Sequence, residues 1–282
     1  VVTRLLRSGC EVLGVARRQP EAGSAGIRWL AADVSDPLRM QQVLADAAPE
    51  IVIHLASHVS ADRSLERVLS TFKDNLSSTV GVLVAAKNAG CRRVVLAGSM
   101  EEPDIADPVP TPASPYAAAK WAAGGYARMF STLYGLPVVV VKIAMAYGPG
   151  QSDPTKLVPY VVRSMLRGEP PRITSGARAV DWVYIEDVAE SIERACFVGE
   201  LGGKSIDVGS GMHVTVRDFV NQLAALVDPS LKPEFGALPD RPLEREPRVD
   251  VKRTEALLGW RARTPLSEGL RRSVDWYRRE AG

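Results

Sequence analysis

Residues 94–120 read VVLAGSMEEPDIADPVPTPASPYAAAK. Val94 to Ala97 is a short apolar run that predicts a buried strand, closing at Gly98-Ser99. A polar, proline-rich stretch follows, and Ser114-Pro115 then opens an alanine-rich segment, a helix-start signature. On that helix Tyr116 and Lys120 stand at i and i+4, on one face and one above the other. A lysine ammonium beside a phenol favours phenolate, so Lys120 is expected to lower the Tyr116 pKa. A phenol so tuned passes a proton to or from an alcohol oxygen, and Ser99 at the strand end can hydrogen-bond that oxygen. An ordinary surface Tyr/Lys pair shares the spacing. The strand-terminal serine upstream and the Ser-Pro before the tyrosine set this pair apart.

Outward from this stretch, short apolar strands alternate with helices. Strands are expected at 11–16, 27–31, 51–55 and 138–143. A helix follows Asp36-Pro37 to about Ala47, and a longer one runs from about Ser64 to Ala89, interrupted near Asn75. That alternation predicts an α/β fold, a parallel sheet wound on both faces, with ligands at the carboxyl ends of the strands. Arg17, Asp33, His54, Ser99 and Tyr147 fall at those ends. Beyond Ile143 the character changes: residues 146–151 read as a turn-rich loop and 168–182 as another. Helices are expected near 157–167, 184–197, 214–227, 251–258 and 266–279. Residues 1–150 therefore read as a doubly wound α/β domain, and 151–282 mainly as a smaller substrate lobe with some segments returning to the sheet.

Composition bounds the partners. The 35 basic and 33 acidic residues leave a formal charge of +2, which gives no reason to propose nucleic acid or a membrane surface. Cys10, Cys91 and Cys196 are widely spaced, without C-x-x-C or metal-ligand spacing. They read as free thiols of a cytoplasmic protein with no metal site.

Taken in order, Ala32-Asp33-Val34, His54-Leu55-Ala56, Ser99, Tyr116-x-x-x-Lys120 and Tyr147-Gly148-Pro149-Gly150 resemble the extended short-chain dehydrogenase/reductases. Asp181-Trp182-Val183-Tyr184-x-x-Asp187-Val188, Val208-Gly209-Ser210-Gly211 and Leu257-Leu258-Gly259-Trp260 extend the likeness over the whole chain. The branch is the one acting on nucleotide-activated sugars. It implies a Rossmann-like fold whose first strand and G-x-x-G-x-x-G turn precede the first helix. Both are expected to be missing here, roughly 15 residues lying before Val1.

By this resemblance Tyr116 is the acid/base, Lys120 holds the nicotinamide ribose, and Ser99 orients the substrate oxygen. Asp33 and Val34 lie by the adenine, and Leu55, Ala56 and Ser57 line the cofactor. Arg17-Arg18 stand where NAD-using members place an acidic residue, and an arginine there suits the 2′-phosphate of NADP over NAD. Dehydratases of this branch carry Asp-Glu after the serine or threonine. Here Met100 replaces the aspartate, and Glu101 matches the glutamate that removes a proton from C5. Met100 and Met145 stand at substrate-contacting positions, the latter where asparagine is common. Arg241, with Arg245 as its rival, and Arg178 are candidates for the diphosphate.

Together these readings point to an NADP-dependent reductase of a nucleotide 4-keto-6-deoxyhexose. The alternatives are a 4-epimerase or 4,6-dehydratase recycling bound NAD, or a non-catalytic dinucleotide-binding protein. Members often dimerise through the Tyr116 helix and the long helix before the Val94 strand. The small-residue runs of the former, 117–119 and 122–125, would permit close packing of a homodimer.

Overall fold

In the computed structural model, which describes residues 1–18, 26–60, 62–104 and 106–281, the expected alternation becomes a largely parallel α/β structure. In chain order the first elements are α1 (Val2–Arg7), β1 (Val12–Ala16), β2 (Ile27–Ala31), α2 (Pro37–Ala47) and β3 (Ile51–His54). Then come α3 (Val68–Thr71), α4 (Ser78–Asn88), β4 (Arg93–Ser99), α5 (Pro115–Tyr134) and β5 (Val138–Ile143). The remainder are β6 (Met145–Tyr147), α6 (Leu157–Leu166), β7 (Arg172–Ile173), β8 (Ala179–Tyr184), α7 (Ile185–Phe197) and β9 (Ser205–Val208). After them follow β10 (His213–Thr215), α8 (Val216–Val227), β11 (Glu234–Phe235), α9 (Val251–Leu258) and α10 (Leu266–Ala281).

The chain forms two compact units. The first comprises Val1–Ile143, Ala189–Asp207 and Ala256–Gly259. In it β1 pairs in parallel with β2, and β3-β4-β5-β9 form a separate sheet in that order. Val94 and Val95 of β4 and Val138 and Val139 of β5 are fully buried, as their continuous apolar runs require of strands covered on both sides. Met40, Val43 and Leu44 of α2, Val82, Leu83 and Ala86 of α4, and Ala127 and Phe130 of α5 complete this core. Local chemistry sets the helix starts. The Asp36 carboxylate accepts the Arg39 N–H at 3.0 Å ahead of α2, with Pro37 at its first position.

One sequence expectation changes here. The expected absence of a first strand is not supported. The apolar run Val12–Ala16 is a formed strand, β1, with a parallel partner in register from Val12 opposite Ile27 to Ala16 opposite Ala31. The helix between Ser64 and Ala89 is interrupted near Asn75 as expected, running as α3, a π turn at Phe72–Ser77, and α4. The wide turn carries Asn75, 1% exposed, and such turns recur at functional sites.

The second unit comprises Ala144–Val188, Val208–Glu255 and residues from Trp260 onward. Its sheet has β8 at the centre, parallel to β6 and antiparallel to β10. Trp182 stacks on Phe219 with ring centroids 3.6 Å apart, and Tyr147 meets Phe219 edge-on at 5.4 Å. Two stretches read from sequence as loops thus contain strands: β6 within the turn-rich segment, and β7 with the start of β8 within 168–182. Asp181 and Arg178 masked the strand pattern of β8. Asp181 is tolerated inside the strand because its carboxylate accepts the N–H of Ser210 and of Gly211, each at 2.7 Å, and the Ser210 hydroxyl at 2.9 Å. Among the described residues, no helix is long and apolar enough to cross a membrane.

Candidate active site

The first unit brings Ser99, Tyr116 and Lys120 together. β4 ends at Ser99, which is 6% exposed. Ser114 caps α5, its hydroxyl oxygen accepting the Ala117 N–H at 3.1 Å, and Pro115 occupies the first turn. That cap fixes where the helix starts, and so where Tyr116 and Lys120 project, one turn apart on one face. The Ser99 side chain lies close enough to the Tyr116 hydroxyl to favour its phenolate. The Lys120 ammonium donates to the Ala97 carbonyl at 2.7 Å and lies 5.8 Å from the centre of the Tyr116 ring.

The electrostatics differ from the sequence expectation. Burial pushes Tyr116 up to about 12, the Ser99 side chain opposing this and the carboxylates of Glu102 and Glu101 adding to it. Burial also lowers Lys120 to about 8, opposed by Glu102. The expected lowering of Tyr116 by Lys120 is therefore corrected. In this apolar setting desolvation outweighs the lysine charge, which is itself expensive to keep. A further positive charge beside Tyr116 would bring its phenol back down.

Glu101 is half-buried, and its N–H donates to the Ser99 hydroxyl oxygen at 3.1 Å. Met100 is buried and apolar, its N–H bonded to the Ile143 carbonyl at 3.1 Å. Sequence reasoning overlooked Glu102, which is 7% exposed with a carboxylate oxygen 2.8 Å from the Ser99 N–H. It also gave Asn75 no role. The Asn75 side-chain oxygen accepts the Ser57 hydroxyl at 3.1 Å and the His58 N–H at 2.7 Å, and its amide donates to the His58 carbonyl at 2.9 Å. Asn75 thereby shapes the loop after β3, leaving Leu55 and Ala56 exposed. The interrupted helix pattern was the available signal for it.

Arg17 and Arg18 are exposed at the end of β1. Asp33 is exposed and Val34 half-buried after β2. The Ser35 N–H bonded to the Asp33 carboxylate at 2.9 Å, with weaker help from Arg17 and Lys73, holds that acid below its ordinary value. Met145 is 37% exposed on β6 in the second unit. Arg178 is occupied there, donating to the Arg245 carbonyl at 2.7 Å with Glu244 3.8 Å away. Arg241 is exposed and, among the described residues, has no hydrogen bond or ion pair. No group of three His, Cys, Asp or Glu suited to a metal exists among the described residues.

These residues fit a nicotinamide dinucleotide. The strand-end loops present Asp33, Leu55 and Ala56 to solvent, and among the described residues only one of the three Lys120 N–H donors is bonded although the side chain is buried. Residues 1–209 match the NAD dependent epimerase/dehydratase family. The chain belongs to this family. It is 31% identical to the UDP-glucose 4-epimerase of Mycolicibacterium smegmatis, over all of this chain and 95% of that one. It is 29% identical to a probable dTDP-glucose 4,6-dehydratase of Sinorhizobium fredii, over 98% and 88%. Its fold matches the UDP-glucose 4-epimerase of Thermotoga maritima with UDP-glucose at a TM-score of 0.90 and 25% identity, covering 100% and 95% of the chains. MoeE5 in complex with UDP-glucose and NAD matches at 0.88 and 30% identity, with the same coverage.

Two preferences are corrected by these likenesses. The family is NAD dependent and MoeE5 holds NAD, so the preference for NADP is not supported. The relatives are epimerases and dehydratases, so the preference for ketoreduction is not supported either.

Proposed function

We propose that the protein is an NAD-dependent 4-epimerase of a nucleoside-diphosphate hexose, with a UDP-hexose as the first candidate substrate. One observation carries the reading: Ser99, Tyr116 and Lys120 are held together in a buried site, while the position that carries an acid in dehydratases is the apolar Met100. Expelling a hydroxide needs a proton donor at the leaving oxygen, which a thioether cannot supply.

In this reading Tyr116 takes the proton of the sugar C4 hydroxyl and later returns it to the same oxygen. Ser99 hydrogen-bonds that oxygen throughout. Lys120 uses its remaining donors on ribose hydroxyls. When bound, NAD reversibly accepts the hydride of C4. The loop shaped by Asn75 and the Asp33–Val34 turn hold the dinucleotide, and Arg241 is the candidate partner of the sugar diphosphate. A homodimer is part of the proposal. Ala117, Ala119, Ala123 and Gly124 are already buried within one chain, so any contact along α5 uses its exposed positions, Tyr126 among them.

The test is incubation of the protein with UDP-glucose and NAD, separating the products by chromatography. Interconversion of the C4 epimers without net change in nicotinamide absorbance supports the reading. A 4-keto-6-deoxy product would replace it with dehydration, with Glu101 as the C5 base. Size-exclusion chromatography checks the dimer.

A further inference from the structure

Glu102 is a buried acid with no part in the proton transfers above. It is 7% exposed, just beyond the catalytic serine. One carboxylate oxygen accepts the Ser99 N–H at 2.8 Å, while the Glu102 N–H donates back to the Ser99 carbonyl at 3.2 Å. The other oxygen lies 4.0 Å from the Lys142 ammonium on β5. Its space depends on small residues. A Cβ on Gly98 would stand 2.9 Å from the first oxygen and 2.7 Å from a Val140 methyl. A Cβ on Gly124 of α5 would meet the second oxygen at 3.9 Å and the Arg128 guanidinium at 3.7 Å. Burial raises the pKa of this carboxylate, the Ser99 N–H and the charges of Lys142 on β5 and Lys120 on α5 favour its ionised form, and Asp207 on β9 opposes it. The Glu102 charge acts in turn on Tyr116 and Lys120, and on each it opposes deprotonation.

A buried carboxylate costs several kcal/mol of desolvation unless it is paired and hydrogen-bonded. Here part of that compensation comes from the backbone of the very residue that orients substrate. We propose that Glu102 is a positioning residue for the Ser99–Tyr116–Lys120 site: its carboxylate fixes the end of β4 that carries Ser99 and supplies the buried negative charge that Lys120 and Tyr116 face. The inference rests on the catalytic reading of those three residues. The two roles separate chemically. Glu102→Gln keeps an oxygen for the Ser99 N–H and removes the charge. Glu102→Asp keeps the charge and falls one methylene short of the N–H.

The experiment is NMR titration of the Lys120 side chain in the full-length protein, assigned with Lys120→Arg, alongside kcat for UDP-glucose epimerisation. Folding of each variant is checked by circular dichroism. In Glu102→Gln the Lys120 midpoint is expected to fall below the wild-type value, because the charge that opposes its deprotonation is gone. In Glu102→Asp the midpoint stays at the wild-type value while kcat falls by about tenfold to a hundredfold, as displacing a positioned group does. A wild-type Lys120 midpoint in Glu102→Gln overturns the proposal, as does a midpoint that moves equally in both variants. Should Glu102→Gln fail to fold, Glu102→Asp decides alone: wild-type kcat or a shifted midpoint refutes the proposal. The titration needs no substrate, so a protein inactive on UDP-glucose would sink the epimerase reading while Lys120 still reported on Glu102.

Discussion

Removing the Lys120 ammonium should change stability with opposite sign on the two sides of pH 9. The side chain is 6% exposed, and burial lowers its pKa from the ordinary 10.5 to about 8. Between those values the unfolded chain binds a proton that the folded chain has released, so stability rises with pH across that window. Below pH 8 the folded protein bears the whole cost of the buried cation, about 3 kcal/mol from the interval between the two values. Lys120→Met abolishes that cost. It also takes the 2.7 Å donor from the Ala97 carbonyl, worth about 2 kcal/mol when the acceptor is left buried. The variant should therefore be more stable than wild type by about 1 kcal/mol at pH 7, and less stable by about 2 kcal/mol near pH 10.5. Urea denaturation of both proteins across this range measures the difference, from which groups titrating alike in the two proteins cancel. A difference that stays constant from pH 7 to pH 10.5 would refute the assignment of Lys120 as a desolvated cation. Turnover should be lost in the variant at every pH, a stability gain obtained by dismantling the site.

Tyr116→Phe should lower kcat by about 10²- to 10⁴-fold with an unchanged circular dichroism spectrum, and full turnover would remove Tyr116 as the acid/base. His54 is buried and neutral, its pKa lowered from 6.5 to about 4 by burial and, less, by Lys120. The unfolded chain therefore takes up the proton first, and stability is lost as pH falls from 6.5 through 4, by up to about 3 kcal/mol. His54→Leu should flatten that acid limb, read from urea midpoints at pH 7 and 4.5. In the second unit a Cβ at Gly269 would collide with the Tyr147 hydroxyl, so Gly269→Ala should cost about 1–3 kcal/mol in a denaturation experiment. Arg241→Ala should raise KM for the nucleotide sugar with little change in melting temperature, whereas Arg178→Ala should lower the melting temperature by freeing the 244–246 loop. Equal behaviour of the two variants would count against separating a ligand-facing arginine from a structural one.

Much of the first unit was legible because its signals are local. Apolar runs at 12–16, 27–31, 94–97 and 138–143 are too short for helices and lie between helix-start and helix-stop residues. They became strands within a residue or two of the expected bounds. β6 and β8 were not legible. Three residues are too few for periodicity to register, and Asp181 reads as a loop residue until Ser210 and Gly211, distant in sequence, donate to it. Arg17-Arg18 invited a reading of NADP that the family does not support.

The sequence by itself determined the alternating α/β pattern, the i, i+4 spacing of Tyr116 and Lys120, and the capped helix start that aims them. All of these follow from backbone geometry over a few residues. Only the tertiary structure decided how those groups titrate, that Asn75 shapes the loop after β3, and that Glu102 turns inward onto the Ser99 backbone. Desolvation and hydrogen-bond satisfaction are set by atoms from β3, β4, β5, β9 and α5 arriving at one place, and no local pattern encodes that convergence.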